Sequence, residues 1–391
     1  MLDSARQAAL HPDQRDPGCF HAARSDIILR MRRFALFMCL IFTLVMRVGA
    51  APGFPSANPL AAPLLALDVA ASDHLTLYDV TNDAYRDLTF GRTLHRVWGF
   101  TPDGCRLIIT LGNNPARLYT TRLDGGDLRE LVQYTGTSWS VWDAHMQPNG
   151  DRIAFTLIDT DGNGDQRHRL AVVSVNGGEP AFLSVTGDEH TPRWSADGQW
   201  IVYVSYETSP EGSREADLWM VSADGLNKYR MTNFNAGSVS MPRPSPDGDL
   251  IGFVYSPSPN NDQFWMIGAQ PDALPTQLSY NAVLALDLTW LPDSSAMVAA
   301  ARDMQGIAEN RLWRIPLVGN ADSDAAQIPV DAALNYLDYP RFDLGWLAFR
   351  SEYGLELLNM NDGAWRTLDN AANTPPVWSP AGFASEAACP A

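Results

Sequence analysis

One short stretch of the sequence has the residue types and spacing of a calcium-binding loop. Asp159, Asp161, Asn163 and Asp165 place side-chain oxygens at every second position of a segment that also contains two glycines. Calcium is bound by about six to eight oxygen ligands in flexible geometry, which such a loop can supply. Leu170 stands where an EF-hand requires a bidentate glutamate, so the stretch is not a complete EF-hand. Two interpretations stay open, a calcium loop of another type and a solvated acidic hairpin without metal.

A repeated phrase in the sequence predicts the elements that must position such residues. Its copies read GFTPDGCRLIIT (99–110), HMQPNGDRIAFT (145–156), PRWSADGQWIVYVS (192–205), PRPSPDGDLIGFVYS (242–256), LTWLPDSSAMVAAA (288–301), PRFDLGWLAFRS (340–351) and PVWSPAGF (376–383). The copies recur at intervals of 36 to 52 residues, and periods of about 40–50 with strand-like content indicate propeller blades. In the full phrase, a tight Ser-Pro-Asp-Gly turn joins an apolar strand to a β-rich run, and individual copies are degenerate. Two further strands complete a four-stranded blade.

The two ends of the repeat region complement one another. Residues 64–70, 74–80 and 85–90 look like three strands of a blade that lacks its first strand, and 376–383 look like a first strand without successors. One composite blade would close the ring and remove its exposed edges. We therefore predict an all-β fold, a single seven-bladed β-propeller of four-stranded blades, closed by the N-terminal strands plus the C-terminal strand. Six blades with a loose tail is the alternative.

The Trp-Ser-Pro-Asp-Gly phrase followed by an apolar strand resembles the TolB-like, WD-repeat-like propeller family over residues 64–383. TolB carries an additional N-terminal α/β domain, and here only about a dozen residues separate the predicted signal peptide from the first strand, so the resemblance does not extend to TolB's own role with Tol–Pal components. Propellers of this type also cap serine peptidases, which need a G-x-S-x-G elbow. The sequence contains no such pentapeptide, and a peptidase of this type is excluded.

Propellers usually bind ligands at the mouth of their central channel, and the repeat frame predicts which residues lie there. The positions four residues before each aromatic position include Arg96, Trp142, His190 and Asp338, which we predict as ligand-binding residues. Ordinary entry-loop residues are the alternative. A metal site like that of propeller lyases acting on pectate fragments would need a histidine cluster, which the spacing of His145 and His190 does not indicate. We predict no catalytic residues.

Two cysteines are candidates for a disulfide. Cys19 and Cys39 precede the predicted mature chain, which keeps Cys105 and Cys389. Both lie near the same turn of the repeat in blades that would be neighbours in a closed ring, and thiols outside the cytoplasm tend to pair. The alternative is two unrelated thiols.

Residues 31–50, MRRFALFMCLIFTLVMRVGA, have the pattern of a secretory signal peptide. A basic start at Arg32 and Arg33 precedes an apolar run over 34–46, and Val48 and Ala50 fit cleavage after Ala50. The run is short for a membrane-spanning helix, which needs about 20 residues. An uncleaved anchor is the alternative.

This pattern sets the predicted domain organisation. Residues 1–50 are the N-terminal extension and signal peptide, with Met31 as an alternative start, and 51–63 are a linker. Residues 64–383 form the propeller and 384–391 a C-terminal tail. We expect an extracytoplasmic location, whether periplasmic, cell-surface or secreted.

The net charge of the chain limits the classes of molecule that it is expected to bind. The formal net charge is -17, which disfavours binding to nucleic-acid phosphates. The predicted function is a non-catalytic binding scaffold for a protein, peptide or glycan of the cell envelope, acting as a monomer at the channel mouth. A glycan- or polyuronate-active enzyme is the alternative. No cofactor besides the open question of Ca²⁺ is predicted, and membrane contact is expected only if the signal peptide stays uncleaved.

Overall fold

The computed structural model of the protein describes residues 59–68, 72–113, 115–136, 138–148, 150–183, 187–208, 214–234, 236–281, 283–331, 333–334, 336–368 and 375–390. The predicted signal peptide lies outside these residues, as does most of the predicted linker. The described chain consists of short β-strands and the turns between them, which confirms the all-β prediction. None of its helices is long and apolar enough to cross a membrane.

The strands of the described chain follow one another with few interruptions. They are β1 (Leu64–Asp68), β2 (His74–Asp79), β3 (Ala84–Thr89), β4 (Leu94–Phe100), β5 (Arg106–Leu111), β6 (Arg117–Arg122), β7 (Arg129–Glu130), β8 (Trp139–Met146), β9 (Arg152–Thr160), β10 (Gln166–Ser174), β11 (Ala181–Phe182), β12 (Glu189–Trp194), β13 (Trp200–Thr208) and β14 (Arg214–Ser222). The second half contains β15 (Lys228–Arg230), β16 (Ser238–Pro244), β17 (Leu250–Ser258), β18 (Asn261–Gly268), β19 (Thr276–Gln277), β20 (Leu284–Trp290), β21 (Ala296–Arg302), β22 (Arg311–Pro316), β23 (Ala326–Gln327), β24 (Asp338–Asp343), β25 (Trp346–Ser351), β26 (Gly354–Asn359), β27 (Trp365–Leu368) and β28 (Val377–Trp378). Two short helices accompany them, α1 (Ala321–Asp324) and a 3-10 turn at Glu386–Ala388.

The repeated phrase forms the turn that the sequence predicts. In the copy at β12–β13, the Ser195 hydroxyl donates to Oδ1 of Asp197, and the same oxygen accepts from the amide of Gln199. Gly198 has a φ of +67°, a conformation that side chains with a Cβ rarely adopt. The turn therefore reverses the chain and sets the register of the two strands beside it.

The number of blades differs from the prediction. Five sheets are four-stranded blades, with the orders β28-β1-β2-β3, β4-β5-β6-β7, β8-β9-β10-β11, β20-β21-β22-β23 and β24-β25-β26-β27. Strands β12 to β19 instead form one eight-stranded sheet. The prediction of seven separate four-stranded blades is therefore wrong, and so is the alternative of six.

The physical reason for this difference is a short outer strand. β15 pairs only with Trp219–Val221 of β14, so the other end of β14 keeps a free edge. That edge is used by a parallel pairing between Ala216 of β14 and Ser238 of β16. Two consecutive repeats thereby share one hydrogen-bonded sheet.

The ring closes through the two ends of the described chain. β28 pairs antiparallel with β1, with Leu65 opposite Trp378 and Ala66 opposite Val377. The innermost strands contact one another in the order β4, β8, β12, β16, β20, β24 and β28, and β28 also contacts β4. The composite blade of N-terminal and C-terminal strands is thus the closure that the repeat frame predicts.

A recurring hydrogen bond connects neighbouring inner strands. The indole of Trp194 donates to the main-chain carbonyl of His145 at 3.1 Å, and the indole of Trp290 donates to that of Arg243 at 2.7 Å. The indole of Trp378 donates to the carbonyl of Arg341 at 3.3 Å. Each acceptor is the residue just before the aromatic position of the preceding repeat, so these tryptophans recur because they link adjacent strands of the ring.

A disulfide joins Cys105 to Cys389, with their Cα atoms 5.4 Å apart. Near it, Arg86 of β3 forms an ion pair with Glu386, and Phe383 is buried in the core around the first strands. The segment after the last repeat therefore packs against the blades on both sides of the closure.

The disulfide generates a stability prediction. Replacing both Cys105 and Cys389 by serine should lower the free energy of unfolding by about 3–5 kcal/mol, because the bond closes a very long loop and constrains the unfolded chain. Urea unfolding of the wild type and the double variant measures this difference. A reducing agent should destabilise the wild type and leave the variant unchanged. Equal midpoints without reductant would show that the bond contributes nothing.

The buried contact of His145 generates a pH prediction. Burial lowers the pKa of His145 from its usual 6.5 to about 3, and its Nδ1 accepts a hydrogen bond from the amide of Trp194. Between about pH 6.5 and 3 the unfolded chain binds a proton that the folded chain refuses, so stability is lost as the pH falls, by at most about 1.4 kcal/mol per unit. His145→Gln keeps an acceptor and should show a shallower loss in denaturant titrations over this range. His74→Gln, at a more exposed histidine, is the control and should keep the slope of the wild type.

Candidate functional site

The inner strands surround a cavity of about 350 Å³ at the centre of the ring. Its wall combines apolar side chains, such as Trp98, Trp194 and Phe342, with four arginines contributed by four different inner strands. These are Arg96, Arg193, Arg243 and Arg341. The walls of a second space of about 510 Å³ include Trp194, Arg243 and Phe342, so the two spaces share part of one wall. A cavity that combines apolar side chains with a few convergent polar groups is typical of a ligand-binding site.

Three of these arginines owe their orientation to a Pro-Arg dipeptide and a bulge. Arg193, Arg243 and Arg341 each follow a proline, and one guanidinium nitrogen of each donates to the carbonyl of that proline. In each strand, the register shifts just before the arginine. Thr191, Met241 and Tyr339, two residues earlier, have φ values of +50°, +54° and +50°. A β-bulge of this kind re-aims the side chains that follow it, here into the cavity.

One buried carboxylate neutralises part of this charge. Asp287 of β20 lies 2.9 Å from Nη2 of Arg243 through one oxygen and 2.8 Å from Nη2 of Arg341 through the other. The amide of Leu288 also donates to Asp287. Although burial works in the opposite direction, these two guanidinium groups hold the pKa of Asp287 below its usual range. Asp287 thus stays ionised and bridges two strands of the ring.

The other two arginines have no comparable partner. Among the described residues, no carboxylate oxygen forms an ion pair within 4.0 Å of Arg193 or Arg96. The guanidinium of Arg96 lies over the ring of Trp98, 4.6 Å from its centroid. Burial, together with the nearby Arg243, lowers the pKa of Arg193 from its usual range to about 9. Burial also lowers the pKa of Arg96. The buried carboxylate of Asp143 attracts both arginines from a longer distance, so they have charge partners nearby but no ion pair within 4.0 Å among the described residues.

The four residues predicted at the channel mouth are not brought together. Arg96 lines the cavity, but the other three do not. Trp142 is 42% exposed and stacks on His95, and Asp338 forms a two-point ion pair with Arg350. His190 lies 2.7 Å from Asp188.

The predicted calcium loop is an exposed hairpin end between β9 and β10. Asp161 accepts hydrogen bonds from the amides of Asn163 and Asp165, which closes the turn. Asp159 points elsewhere, because its carboxylate accepts from the hydroxyl of Tyr134 at 3.0 Å and from Arg169 at 3.2 Å. Asn163 and Asp165 are exposed. The four oxygens do not converge, and calcium binding by this loop stays a prediction.

Sequence reasoning missed most of the arginine cavity. The signal was present, because three copies of the repeated phrase contain Pro-Arg directly before the aromatic position. The expectation that the mouth lies four residues before that position ignored the bulge, which moves the cavity-facing side chain to the residue just before it. Asp287, the buried counter-ion, lies in a copy without Pro-Arg and had no signal of its own.

Comparisons of sequence give short, partial matches. No protein-family model matches the chain. An uncharacterised protein of Agrobacterium fabrum is 26% identical over 171 residues, which are 43% of this chain and 53% of that protein. Tol-Pal system protein TolB 1 of Novosphingobium aromaticivorans is 33% identical over 78 residues, 20% of this chain and 16% of that protein. Tol-Pal system protein TolB of Thioalkalivibrio sulfidiphilus is 29% identical over 84 residues, 21% of this chain and 18% of that protein. The chain thus spans about half or less of the relatives it matches.

Comparisons of structure give longer matches at lower identity. A puromycin hydrolase structure has a TM-score of 0.63 and 14% identity, covering 82% of this chain and 55% of that one. An oligogalacturonate lyase in complex with manganese has a TM-score of 0.56 and 15% identity, covering 81% of this chain and 86% of that one. At such identities these structures share the propeller fold with this chain, and their activities are not transferred.

The repeats, the closed ring of sheets and the short matches to two TolB proteins agree with one another. The chain is a TolB-like β-propeller.

Proposed function

We propose that the chain is a non-catalytic binding scaffold outside the cytoplasm, and that its central cavity binds a carboxylate-bearing segment of a protein or peptide in the cell envelope. The observation that carries the proposal is the local reversal of charge. The chain has a formal net charge of -17, yet four guanidinium groups converge at the centre of its ring. A cluster of positive charges inside an acidic protein binds negatively charged ligands at that one place, because the outer surface of the protein repels them.

The arrangement of the arginines favours a carboxylate. A guanidinium group offers its donors as a planar fork that matches the two oxygens of a carboxylate. Arg243 and Arg341 share one carboxylate, because each places one guanidinium nitrogen against a different oxygen of Asp287. Arg193 and Arg96 are the groups left to bind a second carboxylate, one supplied by the ligand. The apolar wall at Trp98 would contact the carbon skeleton next to it.

The location outside the cytoplasm is supported by two features of the chain. The disulfide between Cys105 and Cys389 is of a kind that persists in oxidising compartments. The apolar run over residues 34–46 has the pattern of a signal peptide. Two relatives are Tol-Pal system proteins by name, which supports a partner in the envelope.

The protonation states of the cavity favour binding over acid–base catalysis. A general acid or base works best with a pKa near the operating pH. Arg193, with a pKa of about 9, is charged at neutral pH, and His145, with a pKa of about 3, is neutral and engaged by the amide of Trp194. Burial raises the pKa of Asp343, which also lines the cavity. Arg193 and His145 thus keep fixed protonation states at neutral pH, and of the groups named here only Asp343 has a pKa shifted toward it.

The binding prediction uses the arginines that lack a carboxylate partner. Replacing Arg193 and Arg96 by glutamine should weaken the binding of a short glutamate-rich peptide by about tenfold or more, because two buried charge-assisted hydrogen bonds are lost. Isothermal titration calorimetry at two salt concentrations measures the effect. Wild-type affinity should fall as salt rises, and the variant should show a weaker salt dependence.

Arg122→Gln is the matched control, since this arginine pairs with Asp124 and is 37% exposed. It should bind like the wild type. Urea unfolding of the double variant establishes whether it stays folded before its binding is compared with that of the wild type. A variant that binds normally would contradict the proposal, and one that loses both stability and binding would assign these arginines a structural role.

A second candidate function is a polyuronate-active enzyme, favoured by one observation. Above pH 8, close to the lowered pKa of Arg193 of about 9, a fraction of this side chain is neutral and would take the proton from the carbon next to a uronate carboxylate. The bond from the next carbon to the glycosidic oxygen would break in the same reaction, and water would protonate the leaving oxygen. If this is correct, oligogalacturonate incubated with the protein above pH 8 should yield an unsaturated product, detected by ultraviolet absorbance. Arg193→Gln should abolish it. Binding of oligogalacturonate without any product at high protein concentration would leave the scaffold as the function.

A further inference from the structure

A cluster of three metal-ligating side chains lies outside the arginine cavity. Nδ1 of His168 is 3.2 Å from Oδ1 of Asp188, and Nε2 of His190 is 2.7 Å from the same oxygen. The two imidazole rings have centroids 4.4 Å apart and are tilted by 50° to one another. Among the described residues, this is the one group of three or more histidine, cysteine, aspartate or glutamate ligand atoms that all lie within 4.8 Å of one another.

The fold holds these residues in place from two neighbouring sheets. His168 belongs to β10, and its amide donates to the carbonyl of Gly187, beside an isolated parallel bridge to Asp188. The amide of Tyr206 in β13 donates to the carbonyl of Asp188, and the ring of Tyr206 packs edge-on against His190. Backbone hydrogen bonds thus fix both strands of the cluster independently of its side chains.

The distances agree with a tetrahedral metal site. Ligands at about 2.0–2.1 Å from a zinc ion in tetrahedral geometry are separated from one another by about 3.3 Å. In this cluster the two imidazole nitrogens lie 3.2 and 2.7 Å from the aspartate oxygen, and all three ligand atoms lie within 4.8 Å of one another. The side chains are 22% to 29% exposed, which leaves a route for entry and room for a fourth ligand.

We propose that His168, Asp188 and His190 bind a divalent transition-metal ion, with Zn²⁺ as the ion best matched to two imidazoles and one carboxylate. Imidazole nitrogens select such ions over Ca²⁺ and Mg²⁺, which prefer an all-oxygen set. Three protein ligands leave one position open for water or a ligand atom. His190 lies in the same strand as Arg193, three residues before it, so an ion here would stiffen the strand that supplies one arginine of the cavity.

Calorimetric titration of untagged, chelator-treated protein with Zn²⁺ tests this proposal. The wild type should bind one equivalent through this site, and His168→Gln and His190→Gln should each lose affinity by at least about tenfold, the loss that removal of even an outer partner of a ligand can cause. Asp188→Asn keeps the shape of the cluster and should weaken binding as well. Zn²⁺ should raise the melting temperature of the wild type and leave that of the histidine variants unchanged.

His74→Gln is the control, because His74 lies in β2 and outside the cluster. It should bind Zn²⁺ like the wild type, and any binding by other histidines or cysteines remains in every variant. Circular dichroism confirms that each variant is folded before titration. The proposal is overturned if folded cluster variants bind Zn²⁺ with the stoichiometry and affinity of the wild type, or if the wild type binds none.

Discussion

The hydrogen bond from a tryptophan indole to a main-chain carbonyl of the preceding inner strand sets both the ring and its cavity. The carbonyls that accept from Trp290 and Trp378 belong to Arg243 and Arg341. The same two residues send their side chains into the cavity and share Asp287. Each of these two arginines therefore links adjacent sheets through its main-chain carbonyl and lines the cavity through its side chain. The position of the arginines is a property of the ring and not of a separate binding loop.

This arrangement also fixes the energetic cost of the site. Transfer of a guanidinium group out of water costs several kcal/mol, which only a well-placed counter-charge offsets. Asp287 forms ion pairs with two of the four arginines, whereas the buried Asp143 acts on the other two only from a longer distance, so their burial is less well offset. The disulfide and the indole hydrogen bonds act in the opposite direction. The positive φ angles of Thr191 and Tyr339 also lower the stability of the protein. Such backbone strain persists only where the surrounding structure enforces it.

The sequence predicted the repeated strands and turns of the fold well, but it did not predict several structural features that occur only once. The turn phrase predicted the strands, and the matching of the two ends predicted the pairing of β28 with β1 and the cysteine pair. The sheet count was wrong because a single parallel contact, Ala216 with Ser238, merges two repeats and has no periodic signal. The histidine cluster was missed for a similar reason. His168 and His190 are 22 residues apart on different strands, and only the packing of one sheet on the next brings them together.

The composite blade ties the order of folding to the order of synthesis. Strands β1 to β3 are made before the rest of the ring, but the inner edge of β1 stays unpaired until β28 is made, more than 300 residues later. An unpaired edge of that kind is a template for association with other chains. The contact that completes the fold is therefore among the most non-local in the molecule, and such contacts form slowly. During that interval, association of this edge with another chain competes with closure of the ring.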